Sequence, residues 1–429
     1  MTPRAEPIAA DAPATDAAAA DTATAPPAEN PYWQRTLWGM VGVQFVMTLS
    51  FTILSPIMPL FLPQLGVTRS SSVDLWAGVL TSVTPFIAAF VSPLWGRMAD
   101  HKGRKLMVLR SSLAISIFTT LMGLAQSAWH LLALRALMGA FAGFSAAAIS
   151  LVASQVPDRR LGYALGWLST GQLVGSLAGP LVGGAIADLA HSYRIPFLAA
   201  GALSFLAMLL AWFFVPERFV RPTGAIKRKA GFGAIFAVFS GASGLGALVL
   251  VLLLAQFGVQ AVQPVVTLFV QQLVGNRPEL ATLAGAAFSA TGIADVLASP
   301  FLGKRSDTLG YRRVLLICLA GAALATVPQA FVQSYTGFVI ARFGLGMFVG
   351  GILPTANALI GRLAGPGQRG FVYGITASAM FLGNALGPLS GGVIAATIGI
   401  RFVFLVTAAL LTINLVWVWF TVPAQVEGS

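Results

Sequence analysis

Residues 96–105 read GRMADHKGRK, and residues 303–313 read GKRSDTLGYRR. Each stretch sets an aspartate four residues after one glycine and three before another: Gly96, Asp100 and Gly103, then Gly303, Asp307 and Gly310, 207 residues later. The echo extends outward from both. SPLWG at 92–96 matches SPFLG at 299–303, and Arg135 and Gly139 return as Arg342 and Gly346 at the same offset. GPLVGG at 179–184 returns as GPLSGG at 387–392, offset by 208. Matches at nearly constant offset mark two copies of one structural unit.

The residues around these marks say what the unit is. Hydrophobic residues make up 57% of the 429-residue chain and charged residues 9%, where a soluble domain carries roughly 25% charged residues. The apolar residues fall in runs long enough for a helix to cross a bilayer core, which takes about 20 residues. In lipid the backbone must satisfy its own hydrogen bonds, so such runs are helices. The pattern predicts helices near 36–62, 74–96, 106–126, 129–152, 163–188 and 195–216, and again near 243–273, 280–302, 314–333, 335–360, 370–396 and 401–421. Six helices per copy is an even number, so both copies insert the same way round. The expected fold is an all-α integral membrane protein of twelve transmembrane helices. Its two parallel six-helix repeats are related by a pseudo-two-fold axis along the membrane normal. The expected division is a disordered cytoplasmic tail over 1–30, an N-terminal bundle over 31–216, a cytoplasmic linker over 217–242, a C-terminal bundle over 243–421 and a cytoplasmic tail over 422–429. The Ala-, Pro- and Thr-rich first thirty residues lack the basic start and apolar core of a cleaved signal peptide.

The net charge is +12, and the placement of the charges explains it better than nucleic acid does. With both termini in the cytoplasm, interior loops hold 18 of the 26 Lys and Arg, and exterior loops only Arg69, Arg194, Arg277 and Arg401. This is the positive-inside distribution. Lys227, Arg228 and Lys229, in the linker, are among those 18. The single cysteine, Cys318, lies in an apolar run and cannot form an internal disulfide. His101, His130 and His191 complete no metal-site or catalytic-triad spacing, and no phosphate-binding glycine loop with its lysine is present. An enzyme, a resident metal or cofactor and direct drive by ATP are therefore not expected.

The repeated glycines and acids resemble a known family. GRMADHKGRK is similar to the Gly-x-x-x-Asp-x-x-Gly-Arg-Lys loop of the major facilitator superfamily. Gly166, Gly175, Gly179, Pro180, Gly183 and Gly184 resemble its antiporter motif, and Gly374, Gly383, Gly387, Pro388, Gly391 and Gly392 repeat every position. The resemblance covers residues 36–421. The stretches VLRSSL, LMGLAQ, LRALMGAFAG and ASQVPDRRLGYALG carry it to the drug:proton antiporters with twelve helices. It implies a secondary transporter of the bacterial inner membrane, with a small-molecule substrate, lipid surroundings and the proton as coupling ion; two complete halves in one chain make a monomer sufficient.

The resemblance implies gating by Gly96, Asp100, Gly103, Arg104, Gly303, Asp307 and Gly310. Read as residues alone, the acids can cap a neighbouring helix or pair with a base, while the basic residues also serve as a plain topology signal. Gly103 and Gly310 permit a tight turn. The glycine-rich fifth and eleventh helices offer smooth packing faces, bent at Pro180 and Pro388. Those faces suit either a moving seam or static close packing.

Arg135 and Arg342 lie inside apolar helices, where a charge is costly. The resemblance implies proton coupling for Arg135, and snorkelling to the surface is the alternative. Met138 stands where the family often has glutamine. Asp295 is an acid well inside an apolar run, while the first copy has Ala88 there. Buried and ionised it would be costly, so it must be protonated, paired or hydrated. A proton-binding role and a structural pairing both satisfy this. SPIMPLF at 55–61 and QPVVTLF at 263–269 suggest irregular cavity-lining helices. Gln44, Thr48, Gln256, Gln260 and Gln263 could supply polar contacts to a substrate or pack between helices. The first helix has no acid, which argues against organic cations as the main cargo. The expected function is proton-coupled efflux of small amphipathic molecules or drugs by alternating access. The alternatives are a carrier for one sugar or metabolite and a non-transporting receptor or scaffold.

Overall fold

The computed structural model describes residues 32–217, 244–364 and 369–422, with the side chains at 100, 158 and 369–371 outside the description. The expected tails over 1–30 and beyond 422, and the linker after Glu217 with its three basic residues, lie outside the described residues. Among the described residues, twelve helical spans are long and apolar enough to cross a membrane. In order they are Trp33–Leu65, Ser70–Ala99, Arg104–Gly123, Ala128–Gln155, Leu161–Leu189 and Ile195–Phe214, then Leu245–Val274, Leu280–Leu309, Tyr311–Phe331, Tyr335–Leu363, Val372–Ile398 and Ile400–Thr421.

Two spans are broken. The first stops at Ile53 and resumes at Ile57, because Pro56 has no N–H to continue the ladder. The fourth stops at Ala140 and resumes at Phe144, although it was expected to be continuous. Gly143 takes a φ of +123° there, a conformation open mainly to glycine. The freed carbonyls find partners on neighbouring spans: Trp95 Nε1 donates to Ala140 O at 2.8 Å and Arg110 Nη2 to Ala142 O at 3.2 Å. The Arg110 guanidinium stacks 3.3 Å from the Trp95 ring centroid. The second copy has Leu302 and Ile317 at these places, and its tenth span is unbroken. The seventh span carries Pro264 without breaking.

The second helix runs through Lys102 and the eighth through Leu309. The repeated aspartates thus sit on the last helical turns, not in loops as expected. Gly103 (φ +98°) and Gly310 (φ +92°) make the reversal alone, each ending one helix and starting the next.

The duplication read from sequence recurs in the contacts. Arg194 Nη1 donates to Gly123 O at 2.8 Å, and Arg401 Nη1 to Ala330 O at 3.1 Å. Lys105 Nζ donates to Trp212 O at 2.8 Å, and Arg312 Nη2 to Trp419 O at 2.7 Å. All four acceptors are carbonyls in the last turns of helices, where a cation is favoured. Within each half the first span of the copy packs on its fifth; across the halves the second packs on the eleventh and the fifth on the eighth.

Candidate functional site

The antiporter-motif glycines serve two different interfaces. On the fifth span, Gly175, Gly179 and Gly183 face the first span. A Cβ on each would lie within 3.0 Å of it, at Phe45 O, Thr52 Oγ1 and Ile53 O. Gly383, Gly387 and Gly391 face the seventh span in the same way, against Leu253, Phe257 and Ala261. Glycine at every fourth residue lets the backbones approach closely. The adjacent Gly184 turns instead to the other half, where a Cβ would lie 2.2 Å from Ala281 O. Gly392 likewise meets Asp74 O and Gly78 on the second span. The motif prolines complete this seam. Pro180 O abuts Gly285 and Pro388 O abuts Gly78, and Gly78 and Gly285 are themselves 207 residues apart.

These close approaches between halves cluster toward one end of the molecule. Asp188 adds a cap there: its carboxylate accepts the amides of Ala281 at 3.3 Å and Thr282 at 2.7 Å. Deeper along the seam, Ser289 Oγ donates to Leu177 O at 2.6 Å. Toward the end bearing the basic turns such contacts are absent among the described residues: a Cβ on Gly96, Gly166, Gly303 or Gly374 would meet open space. Among the described residues, therefore, the glycine–carbonyl contacts between halves hold one end and leave these four positions at the other end open.

The gating residues lie at the open, basic end, and their described contacts stay within their own halves. Tyr311 donates its hydroxyl to Asp307, and Arg362 stacks 4.5 Å over the Tyr311 ring. Asp307, Gly310, Tyr311, Arg313 and Arg362 help line a small polar pocket of about 170 Å³. In the first half the Asp100 side chain is outside the described residues. There the amides of Arg104 and Lys105 are capped by Glu217 Oε1 at 2.8 Å and Oε2 at 3.0 Å. Glu217, beyond the sixth span, was not expected in this role.

The expected amides form two clusters within the halves. Gln44, 2% exposed, has its Nε2 3.4 Å from both Thr48 Oγ1 and Gln172 Oε1. Gln256 and Gln260 both donate to Asn384 Oδ1 at 2.7 Å. Gln263 is half-buried. Gln172 and Asn384 are additions, each sitting beside the smooth glycine face that lets the two helices close on one another.

Of the expected site residues, the three charges inside spans remain. Arg135 is 8% and Arg342 4% exposed, and the Nε of each is buried without a partner. Neither snorkels to the surface. Thr84 Oγ1 donates to the Arg135 carbonyl at 3.0 Å, and Phe288 lies 6.0 Å from the Arg342 guanidinium. Asp295 is half-buried against Gly350, where a Cβ would lie 2.5 Å from Asp295 Oδ1. Gly350 is eight residues past Arg342, about 12 Å along the helix, so Asp295 and Arg342 do not pair. Among the described residues no three His, Cys, Asp or Glu side chains could hold a metal ion.

Known proteins resemble the chain in sequence and in fold. Multidrug resistance protein MdtG of Salmonella arizonae is 36% identical over 387 residues, 90% of this chain and 95% of its own. MdtG of Salmonella newport matches to the same extent. A bacterial homologue of the human lysosomal transporter Spinster, solved inward-facing and unoccupied, superposes with a TM-score of 0.74 at 18% identity, covering 92% of this chain and 97% of that one. The human organic anion transporter MFSD10 superposes with a TM-score of 0.65 at 18% identity, covering 92% and 100%. These structural likenesses speak for the fold. The family description matches residues 40–282 and 248–428, and with it the chain belongs to the Major Facilitator Superfamily of secondary transporters.

Proposed function

We propose that the protein exports small amphipathic molecules from the cytoplasm by alternating access, driven by protons. The observation that carries this reading is the one-ended packing of the halves: glycine–carbonyl contacts hold them at one end, and the same helices stand apart at the other. Two bodies hinged on a smooth seam can rock about a site between them. The bundles over 31–216 and 243–421 are the bodies that move. The positive-inside distribution supports a cytoplasmic position for the open, basic end and both termini, and the 36% identity to MdtG supports a bacterial inner-membrane setting and a multidrug cargo. Cargo loads from the cytoplasmic end, and Asp295 with Arg135 and Arg342 links its release to proton movement. Asp100 and Asp307, with Gly96, Gly103, Arg104, Gly303 and Gly310, steady the cytoplasmic ends when they close.

The amide cluster of Gln256, Gln260 and Asn384 favours a second reading, a single polar solute recognised by hydrogen bonds. Transport in proteoliposomes separates the two. A panel of lipophilic drugs and neutral sugars is offered with an imposed pH gradient and again with the gradient collapsed. Gradient-dependent movement of several drugs, lost in Asp295→Asn while counterflow without a gradient persists, is the expected result. Movement of one polar solute alone selects the second reading.

A further inference from the structure

Asp74 has no part in the function described so far. It lies four residues before Gly78 on the second span, so the two share a face. That face packs on the eleventh span: a Cβ on Gly78 would lie 2.6 Å from Pro388 O, and one on Gly392 2.8 Å from Asp74 O. Asp74 is 5% exposed, and its carboxyl has no hydrogen-bond or ionic partner among the described residues. The duplicated fold shows what this place ordinarily holds. Its counterpart 207 residues on is Ala281, 0% exposed against Gly184. An acid therefore stands where the other copy of the same seam has a methyl group.

The surroundings offer this carboxylate no charged partner. The eleventh span carries no ionisable residue from Ala385 to Ile398, the first none from Leu54 to Leu65, the seventh none from Val262 to Val274 and the third none from Ser111 to Gly123. Arg69, at the start of the same helix, and His130, on the fourth span, are exposed. Arg135 packs level with Thr84, ten residues further in, or about 15 Å along the helix. The helix begins at Ser70, so Asp74 lies beyond the first turn, where the pull of the free amides has faded. Burying an ionised carboxylate without a partner is strongly unfavourable, and protonation relieves it.

We propose that Asp74 is a proton-binding residue of the outer gate, protonated while the second and eleventh spans are closed and ionised when they part and water reaches it. The sign follows from linkage: closing takes up one proton, so acid on the outer side favours the closed outer end and alkali favours opening. In an exporter the proton then arrives in the half-cycle that returns the empty carrier. The inference rests on the orientation and alternating access proposed above, and is independent of Asp295.

The test uses the full chain in lipid nanodiscs, with spin labels on cysteines replacing Thr68 and Ile398 at the outer ends of the second and eleventh spans. Cys318 is fully buried and stays in place. The open-to-closed ratio is read from the label distances as pH is raised from mildly acidic to mildly alkaline. The wild type is expected to open with rising pH, by up to about tenfold per pH unit for one linked proton. Asp74→Asn, and Asp74→Ala as the residue of the other copy, lose that slope, while Asp74→Glu keeps it. A purely structural role would shift the ratio and leave its slope intact. Either neutral variant retaining the wild-type slope overturns the proposal. Gradient-driven export that fails while the gate keeps an Asp74-dependent slope counts against proton-driven export alone. Export that stays proton-driven with a gate indifferent to pH overturns the role of Asp74 alone.

Discussion

An acid in the last turn of a helix works against the local dipole, yet Asp188 sits one residue before the end of the fifth span. Its compensation comes from across the seam. It takes two amides at the start of the eighth span, Ala281 and Thr282, which have no acceptor within their own helix. Hydrogen bonds to a charged group are worth about 1.5–3 kcal/mol, so Asp188→Ala should shift the outer gate toward open by about tenfold or more. Spin labels at Ser192 and Arg277 would report it; an unchanged distance distribution would remove Asp188 from the gate. Residues of this kind explain what the sequence could and could not reveal. Asp295 was legible because an acid interrupts a long apolar run. Asp188 was not, because its partner is about ninety residues away. Asp74 falls at the first residue of its expected helix, where an acid draws no notice, whereas the helix begins four residues earlier. Glu217 was hidden for the reason that hid Asp188: its amide partners belong to the third span.

The fifth span assigns adjacent glycines to different tasks. A methyl on Gly183 would meet Ile53 O at 2.1 Å, inside one half, and a methyl on Gly184 would meet Ala281 O at 2.2 Å, between halves. Overpacking of this kind costs about 1–3 kcal/mol, but the two variants should spend it differently. Gly183→Ala strains both conformations alike and should lower the thermal unfolding temperature. Gly184→Ala strains only the closed outer end, so it should leave that temperature nearly unchanged and raise the open population. Equal effects of both variants on both readouts would mean that the two interfaces are not separable. The four-residue glycine spacing made a smooth helix face legible, while the turn of the neighbouring glycine toward the other half depends on how the bundles are docked. Helix interruptions divided similarly. Pro56 announced the break in the first span, whereas the break at Gly143 depends on Trp95 and Arg110 arriving from other helices to take Ala140 O and Ala142 O.

At the scale of the whole molecule, the repeat offset that organises the sequence also organises the contacts, from Arg194 and Arg401 to Gly78 and Gly285. Duplication was therefore readable from residues alone. The conformation was not, because the glycine spacing is repeated in both halves, and only docking shows which end has met. If the halves rock as bodies, the two ends are coupled: whatever opens the outer end must close the inner end to the same extent. Gly166 lies at the basic end of the fifth span with open space beside it, so, with that end in the cytoplasm as proposed, Gly166→Cys should react readily with a membrane-impermeant maleimide added from the cytoplasmic side. Adding Asp188→Ala, more than twenty residues away along the same helix, should slow that reaction in proportion to the fraction of molecules whose outer end has opened. Cys318 is fully buried and contributes no background. A labelling rate that ignores Asp188→Ala, measured beside a confirmed opening of the outer end, would mean that the helices bend locally at each end and that the two bundles do not move as rigid bodies.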